Sequence, residues 1–286
     1  MNWIIGIAFL VVIGYLLDRE IWFYEGVHLG PRVQAWLYDR WSRKYDEGKR
    51  ESQLRDDEML AQPLLDALQD VPEPFVLDFA AGTGRLSCAL VRQPEFKGRI
   101  VALDLSLGML EQAAAKLSRA SSSFVTPLTP LPFARVEFLR HTSLPLPFPD
   151  AAFDAVCALE VLELFPDMDE PLAEFARVLR PGGTFLASRG TEESGRRAKV
   201  KSAPAFTSLL ERNAFENIRI TKWWRLFDRV LAAKSGESNP VVKHGLQDVL
   251  KCPGCGSIRW EGDTNALRCG NCRRELSVTK DGIVMG

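Results

Sequence analysis

The sequence predicts an α/β fold: a mostly parallel sheet of seven strands covered by helices, an apolar N-terminal helix, and a small cysteine unit at the C-terminus. Three observations carry this. Short apolar runs alternate with helical stretches between residues 75 and 234, the pattern of a sheet covered on both faces. An uncharged run of fifteen residues, Trp3 to Leu17, opens the chain. Four of the six cysteines fall between positions 252 and 272. A length of 286 residues accommodates one α/β domain with appendages, and 46% apolar with 26% charged residues describes a globular chain. The net charge of −1 lends no support to nucleic-acid binding.

Residues 1–24 read as a membrane anchor, a transmembrane helix with Trp3 at one interface and Trp22 to Tyr24 at the other. Fifteen helical residues rise about 22 Å against a hydrocarbon core of about 30 Å, so a helix lying in the interface and a buried helix stay open as alternatives. No basic n-region or small-x-small cleavage site marks a signal peptide. Arg19, Arg32, Arg40, Arg43 and Lys44 all follow the run, which places the body of the protein on the cytoplasmic side of a membrane contacted through residues 3–24.

Residues 25–74 are expected to form a linker and helices. Trp36, Leu37, Trp41 and Tyr45 share a helical face, and Gln62 to Leu68 forms a further helix closed by the turn-forming residues 71–74 (VPEP). Strands are expected at Phe75 to Phe79, Arg99 to Leu105, Val136 to Arg140, Phe153 to Leu159 and Thr184 to Ser188. Helices are expected at Arg85 to Arg92, Met109 to Leu117, Pro171 to Leu179 and Ala205 to Asn213. Ser118 to Pro132 reads as loop. Ile218 to Trp224 and Leu226 to Lys234 are two strands with a very short connection, an antiparallel edge that closes the domain at 75–234. A flexible linker over 235–248 then leads to a separate unit at 249–286.

Gly82 and Gly84 stand where the first strand hands over to a helix, and let a ligand approach the main chain. Asp104 ends the next strand, where a carboxylate accepts both hydroxyl protons of a ribose. A dinucleotide loop must cradle a pyrophosphate, which Asp78 just before the loop would repel. S-adenosylmethionine has no phosphate and carries an ammonium and a sulfonium, so electrostatics favours it.

On these residues the sequence resembles the class I S-adenosylmethionine-dependent methyltransferases, especially the group that includes the ubiquinone/menaquinone-biosynthesis enzymes. The resemblance runs from about Leu37 to Lys234. It rests on residues 38–46 (YDRWSRKYD), 76–86, 101–106 (VALDLS) with Met109 and Leu110, 146–154 (LPFPDAAFD), and 177–183 (RVLRPGG). It implies a Rossmann-like seven-stranded methyltransferase sheet. It further implies that Asp78, Gly82 and Gly84 wrap the methionine part of the cofactor, Asp104 holds the ribose, Leu105 packs on the adenine, and Tyr45 closes over the site. Ala80 stands where the family usually has the first glycine, and Thr142 (or His141) where an aspartate usually binds the adenine amino group.

The methyl group of a sulfonium is already activated, so alignment of donor and acceptor supplies most of the rate. The catalytic residues are unknown from sequence; an acceptor that must lose a proton points to Glu160 and His141 as candidate bases, with Glu163 read as a solvated helix face. Cys252, Cys255, Cys269 and Cys272 form a C-x2-C-x13-C-x2-C pattern whose four thiolates would close a tetrahedral, structural Zn2+ site, with disulfides and iron–sulfur as the alternatives. The segment Leu250 to Met285 resembles small zinc-ribbon proteins that activate methyltransferases acting on tRNA, rRNA and protein, which implies docking of the ribbon on the domain in cis. The expected activity is methyl transfer to a small, lipophilic acceptor at the cytoplasmic membrane face. The alternatives are an RNA or protein methyltransferase that docks through the ribbon, and a non-catalytic membrane-held binding module.

Overall fold

The computed structural model describes residues 2–123, 135–194, 200–242, 245–263 and 265–286. The strands of the expected α/β sheet form close to where the apolar runs place them: β1 (Phe75–Phe79), β2 (Arg99–Asp104), β3 (Val136–Arg140) and β4 (Phe153–Ala158). All five residues of β1 are buried, as the central strand of a doubly covered sheet requires. Alternation then sorts them. Phe75 and Leu77 join a core with Phe148, Phe153, Phe175 and Phe185 on one face, while Val76 joins Leu60, Leu64, Leu90 and Leu110 on the other. Helices α3 (Gln62–Ala67), α4 (Arg85–Val91) and α5 (Leu107–Ser123) cover the second face, and α6 (Asp169–Val178) and α7 (Ala203–Arg212) the first.

The sheet order is completed by β5 (Leu179–Gly190), β6 (Phe215–Trp224) and β7 (Phe227–Lys234). β1 pairs parallel with β2 and β4, and β4 with β5. β7 inserts antiparallel between β5 and β6. β5 starts five residues earlier than its expected bound, through Pro181, Gly182 and Gly183. Arg180 explains the extension: its guanidinium lies 2.7 Å from the fully buried Asp154, whose carboxylate also accepts the N–H groups of Phe75 and Val241. α5 runs through Ser123, so the expected loop at Ser118 to Pro132 begins later; residues 124–134 lie outside the described ones.

Two expectations are corrected. α1 spans Asn2–Trp22, yet among the described residues no helix is long and apolar enough to cross a membrane. The apolar run ends at Asp18, Arg19 and Glu20, one turn before the helix does. The apolar side chains of α1, Phe9 and Leu10 among them, are exposed around the whole helix. After α1, the long α2 (Pro31–Gln53) returns along the domain, tied to it where Asp39 accepts Ser106 Oγ at 2.6 Å and the Gly108 N–H at 2.8 Å.

The C-terminal region is not a separate body. Leu246, Val249, Leu250, Leu267 and Leu276 belong to the same core as Phe75. After the short α8 (Leu246–Val249), a three-stranded antiparallel sheet, β8 (Trp260–Gly262), β9 (Ala266–Cys269) and β10 (Glu275–Ser277), carries the cysteines. Then β11 (Ile283–Met285) joins the main sheet parallel to β3, with Ile283 opposite Phe138, and makes it eight-stranded. The physical reason is an open edge. β3 would otherwise present a row of unpaired N–H and C=O groups, which β11 satisfies.

Candidate active site

The turn after β1 is held in a shape that glycine favours. Ala80, Gly82 and Gly84 all have positive φ, at 54°, 54° and 77°. At Gly82 a side chain would meet open space, so the backbone faces a void. Its N–H donates to one Asp104 oxygen at 2.8 Å, and the other Asp104 oxygen accepts the Ser106 N–H at 2.8 Å, so the carboxylate is fixed in place beside the turn. Gly84 differs from its expected role. It lines none of the three cavities described below; a Cβ there would lie 2.9 Å from the Ala113 Cβ, so its task is to let α4 pack on α5. Ala80 is the strained member, since a left-handed backbone disfavours a β-carbon. Ala80→Gly should therefore raise stability by about 1 kcal/mol, a melting shift of a few degrees in a calorimetric scan; no increase would count against the strain.

Three cavities follow one another along the carboxyl ends of the strands. The first, of about 300 Å³, is lined by Phe79, Ala80, Asp104, Leu105, His141 and Thr142 among others. The second, a neck of about 50 Å³, is bounded by Asp78, Ala80, Gly82, Tyr45, Lys49 and Glu160. Tyr45, Lys49 and Glu160 also line the third, of about 320 Å³, whose far walls are Trp22, Tyr38, Trp41, Leu226 and Phe227. The structure thus brings together every expected cofactor residue except Gly84. It separates the two candidate bases: Glu160 stands at the neck, His141 in the first cavity. Burial lowers the His141 pKa, and its buried Nε2 has no hydrogen-bond partner, an open position suited to a polar group of a ligand.

Burial pushes the carboxyls of Asp78 and Asp104 up to about 6, against the lowering effect of the N–H and hydroxyl groups that they accept. Asp78 accepts both the N–H (3.2 Å) and the Oγ (2.6 Å) of Ser87. α2 lies over the loop: Asp46 accepts Thr83 Oγ1 at 2.6 Å and pairs with Lys116 at 2.6 Å. Of its expected apolar face, Leu37 is buried and Trp41 and Tyr45 line cavities, but Trp36 is exposed. Glu163 also departs from its expected solvated position: it is buried, lines the third cavity and accepts the Gly190 N–H.

Sequence reasoning marked Glu160 but missed the charged residues around it at the neck, Lys49, Arg85 and Asp56. Glu160 pairs with Lys49 and, at 2.8 Å, with Arg85. Arg85 in turn makes two 2.7 Å bonds to Asp56 and lies 4.6 Å from the Trp223 ring centre. No spacing signal links these residues, which come from four separate segments.

Comparison with known proteins agrees with this geometry. Residues 77–187 match the family model described as a methyltransferase domain. The demethylmenaquinone methyltransferase of Thermobifida fusca is 33% identical over 156 residues, 54% of this chain and 60% of the relative. The ubiquinone/menaquinone biosynthesis C-methyltransferase UbiE of Francisella tularensis is 32% identical over 111 residues, 39% of this chain and 40% of that protein. The chain therefore spans about half the length of these relatives. A crystal structure of a SAM-dependent methyltransferase from Aquifex aeolicus superposes with a TM-score of 0.52 at 18% identity, covering 68% of this chain and 98% of that one, and supports the fold. The glycine turn and the acid that ends β2 both lie within the stretch that is similar to a methyltransferase domain.

Proposed function

We propose that the chain transfers the methyl group of S-adenosylmethionine to a small, lipophilic ring acceptor at a membrane surface. The observation that carries this is the chain of cavities, in which a site suited to an adenosine opens through a narrow neck into an aromatic-walled chamber. Asp104 would hold the ribose hydroxyls, Leu105 and Phe79 the adenine faces, and His141 Nε2 or the Thr142 hydroxyl its polar edge. The Asp78 side of the neck would face the methionine end. When bound, the donor supplies an activated methyl group; the protein excludes water around it and aligns the acceptor. The two relatives are named as a demethylmenaquinone methyltransferase and a ubiquinone/menaquinone biosynthesis C-methyltransferase, which suits a chamber walled by Trp22, Trp41 and Phe227.

The exposed apolar surface of α1 supports attachment to lipid, because a helix apolar on every side is stable only when something covers it. α1 ends at Trp22, on the chamber wall, so an acceptor dissolved in lipid would have a short path inward. Basic residues that follow it, Arg32, Arg40, Arg43 and Lys44, suit the anionic cytoplasmic leaflet.

We further infer that the four C-terminal cysteines hold a structural zinc. Their sulfurs all lie within 4.8 Å of one another, with Cys252–Cys272 at 3.5 Å and Cys255–Cys269 at 3.6 Å. Tetrahedral zinc with bonds of about 2.3 Å sets sulfurs about 3.8 Å apart, so the donor set fits. Through β11 the ribbon would dock on the domain in cis and brace the first cavity.

The test is a labelled methyl-transfer assay over lipid, RNA and protein fractions, run with the full chain and with residues 1–21 removed. Label should enter the lipid fraction, and truncation should cut transfer to a vesicle-borne acceptor while sparing donor binding. Label confined to RNA or protein would overturn the acceptor class. No label in any fraction, with no donor binding, would leave a binding module.

A further inference from the structure

We propose that Lys49 and Glu160 act as a pair on an acceptor that carries an ionisable hydroxyl: Glu160 removes the proton and Lys49 holds the oxyanion. This rests on the methyl-transfer reading, and deepens it by naming the acceptor chemistry and a catalytic residue that the sequence did not mark.

The argument starts from position. Lys49, Glu160 and Tyr45 are the three residues shared by the neck and the chamber, so a reacting atom passing between donor and acceptor must lie beside them. Glu160 also sits in a conformation that costs energy, at φ 55° without being glycine. It is kept there by its N–H, which donates to Ser188 Oγ at 2.6 Å, and by its two cationic partners. Such strain persists only where the surroundings over-determine it, and here it aims a carboxylate at the neck.

The two cations are not equivalent. Arg85 is held by its double bond to Asp56 and by the Trp223 ring, with its side chain 12% exposed. It is a positioning residue. Lys49 has a flexible stem, is 30% exposed, and its ammonium lies 5.8 Å and 5.9 Å from the ring centres of Tyr45 and Phe227. It is the partner free to turn toward a ligand.

Charge balance then selects the ligand. Two cations, Lys49 and Arg85, face two carboxylates, Asp56 and Glu160. When the acceptor O–H bond breaks, its electron pair stays on oxygen and the proton bonds to a Glu160 oxygen. Glu160 becomes neutral, and Lys49 is left to pair with the new oxyanion; total charge is unchanged. An acceptor without an acidic hydroxyl would leave Glu160 ionised and its pair with Lys49 intact, so neither residue would act on it. The remaining groups do not compete: burial holds the Tyr45 phenol above its ordinary pKa, Glu25 accepts the Tyr38 hydroxyl, and Glu163 accepts the Gly190 N–H.

The experiment uses the full-length protein and 4-nitrophenol, whose ionised form absorbs visible light. The acid constant of bound nitrophenol should exceed that of the free phenol by about tenfold or more. Lys49→Met should abolish the shift and Lys49→Arg retain part of it. Glu160→Gln, which frees the ammonium from its carboxylate, should enlarge it while slowing methyl transfer. Failure of nitrophenol to bind saturably, an unchanged shift in Lys49→Met, or a smaller one in Glu160→Gln would each overturn the pair. Calorimetry with S-adenosylhomocysteine keeps the two readings apart. Donor binding without any nitrophenol shift sinks this inference alone, whereas lost donor binding sinks the methyl-transfer reading.

Discussion

Replacing Asp104 with Ala should weaken S-adenosylmethionine binding by about 100-fold, from the loss of two charge-assisted hydrogen bonds of about 1.5 kcal/mol each. The same substitution removes the acceptor of the Gly82 and Ser106 N–H groups, both at 2.8 Å, so thermal stability should fall as well. Buried donors left unsatisfied cost about 1–3 kcal/mol each. Titration calorimetry and thermal melts measure the two effects separately. Unchanged affinity in a folded variant would refute the ribose assignment.

A pH dependence accompanies this. Burial raises Asp104 and Asp78 to about 6 in the folded protein, while an unfolded aspartate titrates near 4. The folded state thus binds more protons between about pH 4 and 6. The stability that these two groups contribute is complete below pH 4 and is lost as pH rises through 6. A cationic donor prefers the ionised carboxylates, so affinity should climb through pH 6 and level off above it. Affinity that stays flat from pH 5 to 7.5 would show that neither acid meets the ligand.

On the zinc reading proposed above, stripping the metal should have the second large effect. Chelation at neutral pH, or the double substitution Cys252→Ser and Cys255→Ser, should lower the melting temperature by about 10 °C or more. Structural thiolate sites supply folding free energy outright, and 1 kcal/mol corresponds to about 2–4 °C in a domain of this size. The damage should not stay local. Leu250, Leu267 and Leu276 share the main core, and Gly286 N–H donates to Arg140 O at 3.0 Å, directly before His141. Donor affinity should therefore drop together with zinc content. A metal-free protein that melts and binds as before would remove zinc from the account.

The sheet was legible because each parallel strand is a short apolar run between turn residues, and Phe75–Phe79 and Val136–Arg140 lie at the expected bounds. The glycine turn and Asp104 were legible because they are local in sequence. The neck was not: Lys49, Asp56, Arg85 and Glu160 meet only after α2 folds back over the loop. Isolated charges on helices usually mean solvated faces, so pattern alone assigns Lys49, Asp56 and Arg85 no role. β11 escaped for another reason. Three apolar residues at the end of a cysteine unit carry no sign of which edge they will join. α1 was over-read because its fifteen apolar residues were extended across Asp18, Arg19 and Glu20 to reach the aromatic cluster.

The pairing of Ile283 with Phe138 joins positions 145 apart in the chain (283 minus 138). Closing so long a connection is slow and entropically costly, which makes it a late event as the nascent protein leaves the ribosome. Until then β3 is a sticky border, open to strands of neighbouring molecules. On the zinc reading proposed above, a chain whose four cysteines hold no metal would leave that border open longest and favour aggregation.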